Sequence, residues 1–115
     1  MTAAMDGERT RHALAALHCT PGALRLPDDE LRERLAALPG WTLVENRIDK
    51  TFRFRDYDET IAFVNVVAGI AKREDHHPDL SVHYDRCTVA FSTHSAGGVT
   101  LNDIICAAKV EGAIS

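Results

Sequence analysis

The feature that most constrains this chain is one long helical segment set between two pairs of strand-like segments. Residues 56–75 open with the pattern Asp56-x-x-Glu59, which is typical of a helix start, and their apolar residues lie along one stripe. Residues of opposite polarity alternate through 47–55 before this segment and through 87–92 after it. We therefore predict an α+β fold in which helices cover one face of a four-stranded, mainly antiparallel sheet.

Two further helical segments complete the predicted order of elements, α-β-β-α-β-β-α. Residues 27–38 carry three leucines at helical spacing, and a Pro-Gly pair follows them. A last helix is expected after the glycine pair at 97–98, because Thr100 and Asp103 have the spacing of a capping box.

The length of the chain is that of one domain. A sequence of 115 residues with 45% hydrophobic content can bury a core without metal or disulfide support. We expect residues 26–115 to form the α+β domain. Residues 1–25 are expected to be a partly ordered extension, with a short helix over 11–19 and poor order from residue 1 to about residue 9.

Charge and cysteine content narrow the class of protein. The net charge of -4 disfavours binding to nucleic acid. Cys19, Cys87 and Cys106 are odd in number and far apart, which fits reduced thiols better than a disulfide framework. No apolar run reaches the length of a signal peptide or a membrane span. We therefore predict a cytoplasmic protein without nucleic-acid or membrane partners.

Two adjacent histidines precede a proline in the stretch EDHHPDL, residues 74–80. Proline disfavours helical backbone in the residue before it, so His77 is expected to be extended where the long helix ends. A change of backbone direction between His76 and His77 would let both rings line one concavity, which a regular element would not allow. His94 ends the last strand, so three imidazoles can converge at the ends of elements.

Three interpretations of these histidines stay open from the residues alone. A histidine at the C-terminus of a helix interacts favourably with the helix dipole, so the pair can be purely structural. Zinc is disfavoured, because adjacent histidines seldom bind one metal and the His-Glu-x-x-His spacing is absent. The third interpretation is general acid/base chemistry on a neutral organic substrate, which imidazoles suit near neutral pH. His12, His18 and His83 are not included in this predicted site.

Four motifs, taken in order, resemble the pterin-4a-carbinolamine dehydratase family. They are LPGW at 38–41, EDHHPDL at 74–80, STHSAGG at 92–98 and LNDIICAAKVE at 101–111. The specificity of the resemblance comes from the order and the spacing of these motifs together. The sequence departs from the commonest family pattern at Lys72, where an acidic residue is frequent, and at Leu80, where an aromatic residue is frequent.

The resemblance implies the fold predicted above and a reaction. That reaction is the dehydration of 4a-hydroxytetrahydropterin to quinonoid dihydropterin during recycling of the pterin used by aromatic amino-acid hydroxylases. The resemblance assigns acid/base catalysis to His76 and His94, and substrate binding to His77, Pro78 and Asp103. It implies neither a metal nor a bound cofactor.

The resemblance also implies partners. Members of the family associate into dimers and tetramers, so we expect a homo-oligomer that binds a pterin substrate. Some relatives act through protein contacts, as a dimerisation cofactor for a transcription factor or in Rubisco assembly. The alternative function is therefore a non-catalytic one, with Rubisco or a hydroxylase system as the protein partner. The three histidines favour the enzyme, because an assembly factor has no physical need for them.

Overall fold

The computed structural model describes the backbone of residues 3–114 and the side chains of residues 7–114. These residues form one four-stranded antiparallel sheet together with four helices, so the predicted α+β fold is confirmed. In chain order the elements are α1 (Ala3–Ala15), α2 (Asp28–Leu35), β1 (Thr42–Val44), β2 (Arg47–Arg53), α3 (Tyr57–Glu74), β3 (Asp79–Val82), β4 (Arg86–Phe91) and α4 (Leu101–Ile114), with a single 3₁₀ turn at His94–Ala96 between the last two. The strands lie in the sheet in the order β1-β2-β4-β3.

The sheet buries one of its faces. In β4, Cys87, Val89 and Phe91 are fully buried and alternate with half-buried residues. The register between β2 and β4 places Ile48 opposite Phe91, so the apolar residues of both central strands share the buried face. Helices α3 and α4 cover that face. Every second side chain of the central strands is apolar, and these side chains pack against the apolar stripes of the two helices.

Helix α3 begins and ends with specific caps. The side chain of Asp56 accepts a hydrogen bond from the backbone N–H of Glu59 at 2.9 Å, as the sequence pattern predicts. At the other end Asp75 adopts a left-handed conformation with φ of 50°, and the N–H of His76 bonds to the carbonyl of Ala71 at 3.1 Å. The chain therefore turns at Asp75, one residue earlier than the expected turn between the two histidines.

Helix α4 lies in the centre of the molecule and is buried on most of its surface, including polar residues. Near its C-terminus, Glu111 accepts a hydrogen bond from the indole N–H of Trp41 at 2.9 Å and pairs with Lys50. These partners offset the cost of burying the Glu111 carboxylate, which would be destabilising without them. Trp41 is thus a core aromatic residue with a fixed orientation.

The N-terminal segment packs against α4. Leu14 is 2% exposed, and the Lys109 ammonium donates to the carbonyl of Ala15 at 2.6 Å. Helix α1 begins and ends earlier than the expected helix over 11–19. The expected poor order near the N-terminus falls partly on Met1 and Thr2, which lie outside the described residues; from Ala3 on the segment is helical. The division of the chain at residue 25 stays a prediction.

No helix in residues 3–114 combines the length and apolar character needed to cross a membrane.

Candidate active site

The carboxylate of Asp103 connects the start of α4 with the rest of the site. One oxygen, Oδ2, accepts hydrogen bonds from the backbone N–H of Thr100 and from the hydroxyl of Thr93, each at 2.8 Å. The bond to Thr100 is the capping-box contact that the sequence spacing predicts. The side chain of Asp103 is completely buried, so its remaining oxygen needs a partner inside the protein.

That partner is His76. Its Nε2 donates to Oδ1 of Asp103 over 2.6 Å, and its ring lies parallel to the ring of Phe91 at 6.1 Å between centroids. The hydrogen bond to Asp103 raises the pKa of His76 above its ordinary value, against the lowering effect of burial. The negative charge of Asp103 adds to this rise. The fold therefore favours the protonated form of His76 more than solvent does for a free imidazole.

His76 lines a cavity of about 340 Å³. The lining of this cavity comes from the end of α3, from Thr93 and from the segment 19–23 that follows α1. Asn102 holds that segment, because its side chain accepts from the N–H of Thr20 at 3.0 Å and donates to the carbonyl of Thr20 at 2.8 Å. The cavity is therefore built from parts of the chain that are far apart in sequence.

His94 lies in a second cavity, of about 260 Å³, together with Arg47 and Asp79. The His94 ring is exposed at the start of the 3₁₀ turn. Thr93 belongs to the walls of both cavities, so the two are neighbours. The expected convergence of three imidazoles in one concavity is therefore not seen in this structure, because His76 and His94 line separate cavities that share Thr93.

The remaining predicted residues line neither of these two cavities. His77 is exposed, and Pro78 is half-buried immediately before β3. His83, which we did not include, is exposed and contacts the hydroxyl of Ser81 at 3.1 Å. The structure thus joins His76 with Asp103 directly and leaves His77, Pro78 and His94 apart from that pair.

Sequence reasoning missed several residues that build the site. Thr93 stood inside the motif STHSAGG, next to His94, and a hydroxyl flanking a candidate acid/base residue is a usable signal. Thr20 and Asn102 gave no signal, because 82 positions separate them. Glu74 lies in the motif EDHHPDL; its side chain accepts from the N–H of Cys19 at 2.7 Å and so holds the segment that follows α1 at the cavity.

A metal centre was the weaker alternative for the histidines. Among the residues that the structure describes, no three His, Cys, Asp or Glu side chains are grouped closely enough to hold a metal ion. The absence of a metal from the reaction stays a prediction.

Comparison with known proteins points to the same family as the four sequence motifs. A sequence model of the family described as Pterin 4 alpha carbinolamine dehydratase matches residues 24–113. A protein of Chromobacterium violaceum with the provisional name pterin-4-alpha-carbinolamine dehydratase is 56% identical over 100 residues, which cover 85% of this chain and 93% of that protein. A Xanthomonas campestris protein with the same provisional name is 54% identical over 102 residues, covering 84% and 86% of the two chains.

Solved structures support the same grouping. A crystal structure of a transcriptional coactivator/pterin dehydratase from Brucella melitensis is 38% identical, with a TM-score of 0.74 over 76% of this chain and 96% of that one. A pterin dehydratase-like protein identified as a RuBisCO assembly factor of the alpha-carboxysome is 19% identical, with a TM-score of 0.52 over 63% and 83% of the two chains, and bears on the fold alone. The sequence match over most of the chain confirms the resemblance, and the chain belongs to the pterin 4 alpha carbinolamine dehydratase family.

Proposed function

We propose that this protein is a hydro-lyase that dehydrates 4a-hydroxytetrahydropterin to quinonoid dihydropterin in the recycling of a tetrahydropterin in the cytoplasm. The observation that carries the proposal is the His76–Asp103 pair, a 2.6 Å hydrogen bond at the wall of a cavity. A buried carboxylate that favours the protonated form of an imidazole beside a cavity is an arrangement suited to general acid catalysis.

The reaction needs two proton transfers. The C4a–O bond breaks as a proton reaches the leaving oxygen, which departs as water, and the C4a=N5 double bond forms as N5 loses its proton. The raised pKa of His76 suits it to deliver the first proton. With Nε2 engaged by Asp103, Nδ1 is the nitrogen of His76 that can face a substrate. We assign removal of the N5 proton to His94.

The remaining site residues position the substrate in this proposal. A pterin ring that spans the boundary at Thr93 would contact both cavities and therefore both catalytic histidines. His77 is exposed and follows His76 directly in the chain, Pro78 restricts its backbone, and we assign both to substrate binding. Asp103 acts through His76 by holding its ring and its proton.

Variants of the histidines test the proposal. We expect His76→Ala and His94→Ala each to lower the turnover number about 10²- to 10⁴-fold, because each removes a positioned proton-transfer group. The double variant should lose less than the product of the two effects, since the residues serve one reaction. His77→Ala should raise KM more than it lowers kcat.

The measurement is the rate of dehydration of carbinolamine generated in situ by an aromatic amino-acid hydroxylase, compared with the rate in buffer. His83→Ala is the matched control, because this exposed histidine lies outside both cavities, and it should keep wild-type activity. Wild-type protein that does not accelerate dehydration over buffer would refute catalysis. A non-catalytic role with a protein partner, such as Rubisco or a hydroxylase system, would then become the leading function.

A further inference from the structure

Two of the three cysteines contact each other although 87 positions separate them in the sequence. The Sγ atoms of Cys19 and Cys106 lie 3.5 Å apart. Cys19 follows α1, Cys106 lies on α4, and the third cysteine, Cys87, is buried in the central strand β4. A disulfide requires an S–S distance of about 2.05 Å, so a shift of about 1.5 Å would bring the two sulfurs to bonding distance.

Hydrogen bonds of the segment that follows α1 hold Cys19 next to Cys106. The N–H of Cys19 donates to Glu74 at 2.7 Å, and its thiol lies 3.6 Å from the carbonyl oxygen of Asn102. The next residue, Thr20, is fixed by the paired hydrogen bonds with the Asn102 side chain. These hydrogen bonds fix the backbone at Cys19 and at Thr20, so the position of the Cys19 sulfur near Cys106 follows from the fold.

The two thiols differ in access and in acidity. Cys19 is half-buried and lines the cavity of His76, whereas Cys106 is fully buried. The hydrogen bond with Cys106 lowers the pKa of Cys19 against the effect of burial, and the His76 imidazole adds to the lowering while Glu74 opposes it. The same hydrogen bond and burial raise the pKa of Cys106. Cys19 is therefore the accessible nucleophile, with Cys106 behind it.

We propose that Cys19 and Cys106 form an oxidation site at which a hydroperoxide converts the two thiols to a disulfide. The Cys19 thiolate attacks the peroxide, so an S–O bond forms, the O–O bond breaks and the other oxygen leaves as water or an alcohol after protonation. The Cys106 sulfur then attacks Cys19, the S–S bond forms and water leaves from the sulfenic acid. Two electrons from the thiols reduce one peroxide.

The disulfide would join the wall of the cavity to the helix that carries Asp103. Segment 19–23 forms one side of the cavity next to His76, and α4 begins two residues before Asp103. Oxidation would therefore add a covalent link beside the candidate active site. The chemistry of the link does not depend on the proposed dehydratase reaction, so it can be tested without an activity assay.

The test treats the reduced full chain with hydrogen peroxide at neutral pH and measures its intact mass without a reductant. We expect the loss of two hydrogen atoms and reversal by dithiothreitol. Trypsin leaves Cys87 and Cys106 on one peptide, so the link is mapped with a protease that cuts before aspartate and separates them at Asp103. The expected product joins the peptides of Cys19 and Cys106.

Two variants make the test specific. Cys87→Ser should form the same disulfide as the wild type, because that thiol is not part of the contact. Cys106→Ala should form no internal disulfide, and Cys19 should accumulate as a sulfenic acid that dimedone traps; circular dichroism checks that this variant is folded. If peroxide leaves all three thiols of the wild type free, or joins Cys87 or two separate chains instead, the proposed site is wrong.

Discussion

The carboxylate of Asp103 has two roles, because one oxygen caps the start of α4 and the other accepts a hydrogen bond from His76. A cap alone contributes about 1 kcal/mol of stability. Removal of this side chain also leaves the N–H of Thr100, the hydroxyl of Thr93 and the imidazole without their shared partner. We therefore infer that Asp103 is needed both for the fold around the site and for the protonation of His76.

Replacement of Asp103 by asparagine should lower the pKa of His76. The amide keeps the shape of the side chain, but it weakens the hydrogen bond to His76 and removes the negative charge, which both raise this pKa, while burial continues to lower it. NMR titration of the histidine ring protons measures the change directly. Asp85→Asn, at an exposed carboxylate, is the control and should leave the His76 titration as in the wild type. The same pKa of His76 in Asp103→Asn and wild type would contradict this assignment.

The raised pKa of His76 also predicts how stability depends on pH. The imidazole binds its proton more tightly in the folded than in the unfolded chain, where the ordinary value is 6.5. Its contribution is therefore fully present below about pH 6.5 and is lost as the pH rises through the folded-state pKa.

Urea unfolding of wild type and Asp103→Asn from about pH 5.5 to 9 checks this sign. The difference in unfolding free energy between the two proteins should be largest at the acidic end and should shrink as the pH rises. A difference that grows with pH would show that His76 is held neutral in the folded protein.

Among the helices and strands, α3 has an aspartate as the cap at each end, and the two aspartates have different roles. Asp56 satisfies a backbone N–H at the start of the helix, and Asp75 ends the helix in a left-handed conformation. Aspartate tolerates this conformation better than most residues other than glycine and asparagine. Because His76 follows Asp75 directly, the way in which α3 ends determines that the His76 ring points toward Asp103 while His77 stays exposed.

Loss of the cap at the start of α3 should destabilise the protein without changing the site. Asp56→Ala removes the bond to the N–H of Glu59 and should cost about 1 kcal/mol of unfolding free energy. Asp58→Ala is the matched control, because it removes a first-turn charge but no cap, and should cost about 0.3 to 0.5 kcal/mol. Urea unfolding measures both, and equal losses would show that charge alone explains the effect of Asp56.

At the scale of the whole molecule, the sheet ends in two edge strands, β1 and β3, within the described residues. Edge strands carry unpaired backbone groups that association of chains can cover. Val82 and Tyr84 are also exposed at and just after the end of β3, with 39% and 66% of their surface accessible. These features agree with the homo-oligomer that the family resemblance implies.

Light scattering coupled to size-exclusion chromatography tests this prediction at two or more micromolar concentrations. We expect a mass of at least two chains of 12.6 kDa, because an isolated chain leaves both sheet edges open. Dilution that lowers the mean mass would indicate a reversible assembly. A mass of one chain at every concentration would refute self-association.

The amino-acid sequence is sufficient to predict those features of this protein that depend on residues close together in the chain. Alternation in β4, the apolar stripe of α3 and the capping patterns at Asp56 and Asp103 all involve residues a few positions apart. Such patterns reflect the geometry of single helices and strands, and their order was sufficient to predict the α+β fold. The family motifs supplied the candidate site residues, whose roles stay predictions.

Contacts between residues far apart in the chain depend on how the helices and the sheet pack together. The contacts of His76 with Asp103, of Thr20 with Asn102 and of Cys19 with Cys106 span 27, 82 and 87 positions. No periodicity encodes such distances, because they depend on how α1, α3 and α4 pack around the sheet. The bounds predicted for α1 were wrong for the same physical reason. The apolar pattern of α1 is weak, so the packing of this helix against α4 determines where it ends.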